Sequence, residues 1–110
     1  MLTFVESPTF TRQIVELMSD AEYAEFQQAL AQSPEMGDVI PGLGGLRKVR
    51  WRAQGKGTRS GARVIYLLLL ERGVIFLFYV YTKGRMADLD VEQKKRLRWA
   101  VERIKTEFGR

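Results

Sequence analysis

The strongest constraint in this chain is a pair of apolar runs, residues 64–70 (VIYLLLL) and 74–81 (VIFLFYVY), separated only by Glu71, Arg72 and Gly73. Together they span 18 residues, close to the length of a membrane-crossing helix. Two charges and a glycine at the midpoint argue against that reading. The β-branched and aromatic content, with lengths of seven and eight residues, predicts the two strands of a β-hairpin. Both faces of each run are apolar, so the strands are expected in the middle of a sheet, covered by helices.

The flanking sequence supplies those helices. A brief strand over residues 2–5 is interrupted by Pro8. Phe10, Ile14 and Leu17 then recur at helical spacing, predicting a first helix from Thr9 to about Met18. Ser19 followed by Glu22 is a capping-box pattern that starts a second helix, whose apolar stripe is Tyr23, Phe26 and Leu30 and which ends before Pro34. Residues 33–45, SPEMGDVIPGLGG, hold two prolines and four glycines and read as a connector. Its GLGG lacks the spacing of the phosphate-binding fingerprints, so an ordinary loop that delivers the next strand is expected. Near the end, Asp90 and Gln93 form a second capping pattern, and Leu97, Val101, Ile104 and Phe108 give the stripe of a final helix. The expectation is a single α/β domain of the α+β kind over residues 1–110: two N-terminal helices, a mainly antiparallel sheet and a C-terminal helix.

Charge is distributed unevenly over this frame. Residues 1–38 carry seven acids and one base, Arg12, whereas residues 39–110 carry six acids and 17 bases. Residues 46–63 alone hold seven of the 18 basic residues, inside an acid-free interval from 39 to 70. Alternation along a strand would put Lys48, Arg50 and Arg52 on one face and Arg47, Val49 and Trp51 on the other. That cationic ladder, followed by a basic glycine-rich loop, exceeds what protection of a sheet edge requires. An acidic partner is implied. Most of Lys94, Lys95, Arg96, Arg98, Arg103 and Lys105 read as solvated helix surface, with a part left for RNA.

Absent residue types narrow the chemistry. The chain has no cysteine and no histidine, so thiolate chemistry is excluded and a transition-metal site would need carboxylates alone. No cofactor is implied. The opening MLTFVESPTF lacks the pattern of a secretory signal, leaving the cytoplasm as the default location. If the basic face binds RNA, Trp51, Tyr66, Tyr79 and Tyr81 are available for stacking, and Tyr81, beside the polar exit of its strand, is the one expected to be exposed. If it cleaves RNA, the 2′-hydroxyl attacks its own phosphate, and one group takes its proton while another protonates the leaving oxygen. Without histidine, a lysine with a pKa lowered by neighbouring cations is a feasible base, and Lys48, Lys56 and Lys83 are candidates. Arg63 at the start of a rigid strand, and Arg50 from the strand beside it, can present planar forks to phosphate.

The runs GDVIPGLGGLRKVR, GKGTRSGARVIY and YVYTKGRMADL, with a final basic helix, resemble the HigB-like branch of the RelE toxin superfamily over about residues 37–97. The resemblance implies a small microbial-ribonuclease-like fold and the toxin of a type II toxin–antitoxin system. Such toxins cut messenger RNA in the A site of the ribosome, beside 16S rRNA, and are silenced by a cognate antitoxin, here expected to carry a helix-turn-helix domain. Arg63 in GARVIY would contact the scissile phosphate. Lys48 and Arg50 match a basic pair, one of which is the family's proposed base; the second is Arg here rather than Lys, and the insertion with Lys56 and Arg59 offers another lysine. Lys83 and Arg85 resemble a cationic pair that aids the leaving group, and Tyr81 the base-stacking aromatic. By this resemblance Lys56, Arg63, Lys83 and Arg85 are the catalytic candidates, with Lys48, Arg50, Arg52, Arg59 and Tyr81 as RNA contacts. A non-catalytic RNA- or ribosome-binding module would use the same basic face, and a third reading gives it only an acidic protein.

Overall fold

The computed structural model describes residues 2–53, 61–82 and 89–108. Strand β1 (Thr3–Glu6) leads into helices α1 (Pro8–Leu17) and α2 (Asp20–Gln32). Strands β2 (Asp38–Val39), β3 (Arg47–Trp51), β4 (Ala62–Leu69) and β5 (Val74–Thr82) follow, then helix α3 (Val91–Phe108). The strands form one sheet in the order β1-β5-β4-β3-β2, antiparallel except where β1 runs parallel to β5. The apolar hairpin is therefore central, and its Glu71 and Arg72 lie in a single 3-10 turn closed by Gly73 in the left-handed region (φ 64°). No helix among the described residues is long and apolar enough to cross a membrane.

Helix boundaries follow local chemistry. The Ser7 hydroxyl accepts from the Phe10 amide (3.0 Å) and donates to the Phe78 carbonyl (2.7 Å), so one side chain caps α1 and ties it to β5. Pro8, expected to stop a strand, occupies the first turn of α1, where its missing N–H costs nothing. Both capping boxes form: Ser19 and Glu22 exchange bonds of 3.1 and 2.8 Å, and Asp90 and Gln93 bonds of 2.7 and 2.9 Å.

Helices cover both faces. Phe10, Ile14, Phe26 and Leu30 of α1 and α2 pack on Val49, Val64, Tyr66, Ile75, Leu77 and Val80. On the other face, Leu97 and Val101 of α3 pack with Leu46, Ile65, Leu67 and Tyr81. Where β1 ends opposite Leu77, β5 continues, and the Val80 amide donates to Gln13 Oε1 of α1 at 3.0 Å.

The connector is more ordered than its composition suggests. Asp38 and Val39 pair with Lys48 and Arg47, so the expected loop contains an edge strand. Gly42, Gly44 and Gly45 take positive φ and turn the chain back; at Gly44 a Cβ would also lie 2.9 Å from Val101 Cγ1. Tyr66, fully buried, fastens the start of this segment by accepting from the Gly37 amide (3.0 Å) and donating to the Pro34 carbonyl (2.7 Å). Arg47, its cross-strand partner, donates to the Glu35 and Gly37 carbonyls at 3.1 and 2.7 Å.

Tyr66→Phe leaves the buried Gly37 amide without its acceptor and should cost about 1–3 kcal/mol in chemical denaturation. A second expectation concerns alkaline pH. Burial raises the Tyr66 pKa above its ordinary 10.0. For Tyr23, burial and then the hydrogen bond and charge of Glu6 act in the same direction. The folded state thus keeps phenolic protons that the unfolded chain releases, so this stability is present below about pH 10 and is lost as pH rises beyond it. Urea unfolding from pH 8 to 11 should show that decline, shallower in Tyr23→Phe.

Candidate nucleic-acid interface

The register aligns the basic residues across three strands. Arg50 on β3 stands directly opposite Arg63 on β4, which stands opposite Tyr81 on β5. Directly opposed residues share a face with Cα atoms about 4.5–5.5 Å apart, and the α3 side receives this row. One row further along, Lys48, Ile65 and Tyr79 align, with Asp38 of β2 across from Lys48. Arg50 is exposed at the sheet margin, whereas Arg63, at 7% exposure, is the charged side chain that is buried among the described residues. A guanidinium keeps its charge at any relevant pH. Planar forks of this kind match the oxygens of a phosphate, which makes the Arg50–Arg63 row the candidate anion site of this face.

The structure sorts the expected site residues. Lys48, Arg50 and Arg63 come together on the α3 face. Arg47 is spent on connector carbonyls. Arg52 departs from the expected ladder: β3 ends at Trp51, whose ring packs edge-on against Phe26 of α2 (5.6 Å between centroids). Beyond the pleat, Arg52 follows that ring, its guanidinium 5.3 Å from the Trp51 centroid and 3.4 Å from Glu25. The exposure expected of Tyr81 is also not found; it is 5% exposed and packs in the core with Leu89, Leu97 and Val101. A base cannot stack on it there. Lys56, Arg59, Lys83 and Arg85 lie outside the described residues.

One aromatic was not singled out from the sequence. Trp99 of α3 is 63% exposed, with Arg103 5.1 Å from its ring centroid. Its signal was its position off the apolar stripe, one helical turn from Lys95 and Arg103.

No family model matches the sequence. Solved structures do resemble it. A mutant of E. coli toxin RelE in the free state superposes with a TM-score of 0.55 at 14% identity, over 78% of this chain and 87% of that one. The intact E. coli RelBE toxin–antitoxin complex gives 0.57 at 16% identity, over 74% and 96%. A RelE mutant in complex with an antitoxin RelBc peptide gives 0.52 at 14%, over 82% and 97%. The fold is RelE-like.

An anion seated between Arg50 and Arg63 would meet two guanidinium groups from neighbouring strands. Inorganic phosphate, added at constant ionic strength to about ten times its dissociation constant, should stabilise the chain by roughly 1.4 kcal/mol. Thermal melts should register a rise of several degrees, with a smaller increment in Arg50→Gln.

Proposed function

We propose that this RelE-like chain is the toxin of a type II toxin–antitoxin pair, of the HigB-like branch, and that it cuts messenger RNA in the ribosomal A site. The observation that carries this reading is the buried Arg63 set opposite Arg50 at the end of the central strands. In the reaction the 2′-oxygen bonds to the adjacent phosphorus, the bond from phosphorus to the 5′-oxygen breaks, and a 2′,3′-cyclic phosphate remains. A base accepts the 2′ proton and an acid protonates the departing 5′-oxygen. Arg63 and Arg50 hold the non-bridging oxygens as negative charge develops. Lys56 takes the role of base, with Lys48 and Lys83 as the other candidates, and Lys83 or Arg85 assists the leaving group. Arg59 and Lys48 neutralise the flanking backbone. Tyr81, buried beside Arg63, positions that arginine rather than stacking on a base.

This reaction invokes no metal or cofactor. The net charge of +5 draws the chain toward 16S rRNA in the cytoplasm, and the ribosome orders the substrate, offsetting a modest set of acid and base groups. Two of the similar structures hold RelE with its antitoxin, which supports a cognate antitoxin here. That the antitoxin carries a helix-turn-helix domain is part of the proposal and comes from the HigB-like resemblance of the sequence alone.

Toe-print mapping of an in vitro translation reaction tests the proposal. Cleavage within the A-site codon is expected, falling about 10²- to 10³-fold in Arg63→Ala and strongly in Lys56→Ala, with ribosome binding largely kept. Intact message at stalled A sites would sink the enzymatic reading, and loss of ribosome binding alone would point to a non-catalytic RNA-binding module.

A further inference from the structure

A groove of about 510 Å³ opens between α3, β5 and the start of α1, walled by Trp99, Lys95 and Arg96 and floored by Phe78 and Tyr79. The sheet itself builds the floor. Between Ile65 and Tyr66 the β4–β5 register shifts: Ile65 pairs with Tyr79, and Tyr66 with Leu77. Phe78 is thus an extra residue on β5, and such a bulge lets neighbouring side chains face the same way. Leu77 packs toward α1 and α2, while both Phe78 and Tyr79 pack on the α3 side. Among the described residues, no acidic side chain lines the groove.

We infer that this groove is a nucleotide subsite for single-stranded RNA, in which a base stacks on Trp99 and its phosphate meets Lys95 and Arg96. The inference rests on the RNA-cleaving reading and extends it to a place the reaction itself does not need. Three observations converge. A tryptophan 63% exposed on a highly charged helix does little for packing, but it offers a broad stacking face. The ring stands between the groove and a smaller depression of about 250 Å³, lined also by Glu102 and Glu107, where Arg103 lies 5.1 Å from its centroid and contacts it from that side. Lys95 and Arg96 sit one turn before Trp99, with Cβ atoms about 5–6 Å away, an offset of the order of that between base and phosphate within one nucleotide.

Location supports the same ligand. Tyr79 is two residues before Tyr81 on β5, roughly 7 Å along the strand, and Tyr81 is opposite Arg63. Successive nucleotides of one strand can therefore reach from the Arg63 row into the groove. The stacking function withdrawn from buried Tyr81 passes to Trp99.

The test uses a short RNA with 2′-O-methyl riboses, which has no hydroxyl available for cleavage. In a Trp51→Phe background it should saturably quench Trp99 emission. By anisotropy of a labelled copy, Trp99→Ala should bind about ten-fold or more weakly, with an unchanged melting temperature, and Trp99→Tyr should recover most of the affinity. Stacking is uncharged, so the Trp99→Ala defect should persist at high salt. Lys95→Gln and Arg96→Gln should each reduce the slope of log affinity against log salt by about 0.7. Trp99→Ala binding as tightly as its parent, with Arg63→Ala still weakened, overturns the subsite and leaves the proposed function standing. No RNA binding by the parent overturns both. Quenching by a poly-glutamate peptide but not by RNA overturns the subsite and gives the groove to an acidic protein.

Discussion

The phenol of Tyr66 joins the two halves of this molecule. Its hydroxyl bridges Pro34 and Gly37, and Arg47 across the strand closes on the carbonyls of Glu35 and Gly37. The connector between the acidic helical half and the basic strand is thereby fixed to the sheet face that α1 and α2 cover. Close fit makes the arrangement intolerant: a Cβ on Gly37 would lie 2.8 Å from Tyr66 Cε1 and 3.1 Å from the Lys48 carbonyl. Register follows from this. A slip of one residue in β3 would turn Val49 and Trp51 away from their core and carry Lys48 and Arg50 into it, so the opposition of Arg50 and Arg63 is maintained by apolar packing on the reverse face.

Two departures from regular pairing shape what the α3 face offers. The end of β3 at Trp51 removes Arg52 from the row and gives its charge to Glu25, in an exposed pair that contributes little to stability. The extra residue on β5 adds an aromatic to the α3 side and opens space beside the helix. Clustered charge and an open groove thus arise from one sheet by different means: regular register concentrates the arginines, and a break in register makes room beyond them.

Much of this architecture was legible in the residues. Ser19 with Glu22, and Asp90 with Gln93, set helix starts through bonds only three residues apart, and the charged interruption of the apolar hairpin leaves few other turns available. Alternation placed Lys48 and Arg50 correctly because Val49 and Trp51 demand burial. Arg52 failed the same rule because pleat geometry ends where the strand ends, and the attraction of Trp51 to Phe26 acts over a separation that strand alternation does not register. Tyr81 was misjudged for a related reason: the polar residues after it suggested solvent, but α3 returns over it from later in the chain. The short strand at Asp38 and Val39 was hidden by glycines whose positive φ values are what return the chain to β3. Trp99 was overlooked because an apolar stripe draws attention to the buried side of a helix, and its signal lies on the other side.

The bond from Val80 to Gln13 has a consequence for how other chains can approach. Where β1 stops, β5 would present an amide that an extended peptide could use to add itself to the sheet, and a glutamine side chain already occupies it. An incoming strand would first have to displace that side chain, at the cost of a hydrogen bond and of contacts that seat α1. This margin is guarded against recruitment into intermolecular sheets. Recognition at this end of the molecule is left to side chains and grooves, with the backbone withheld.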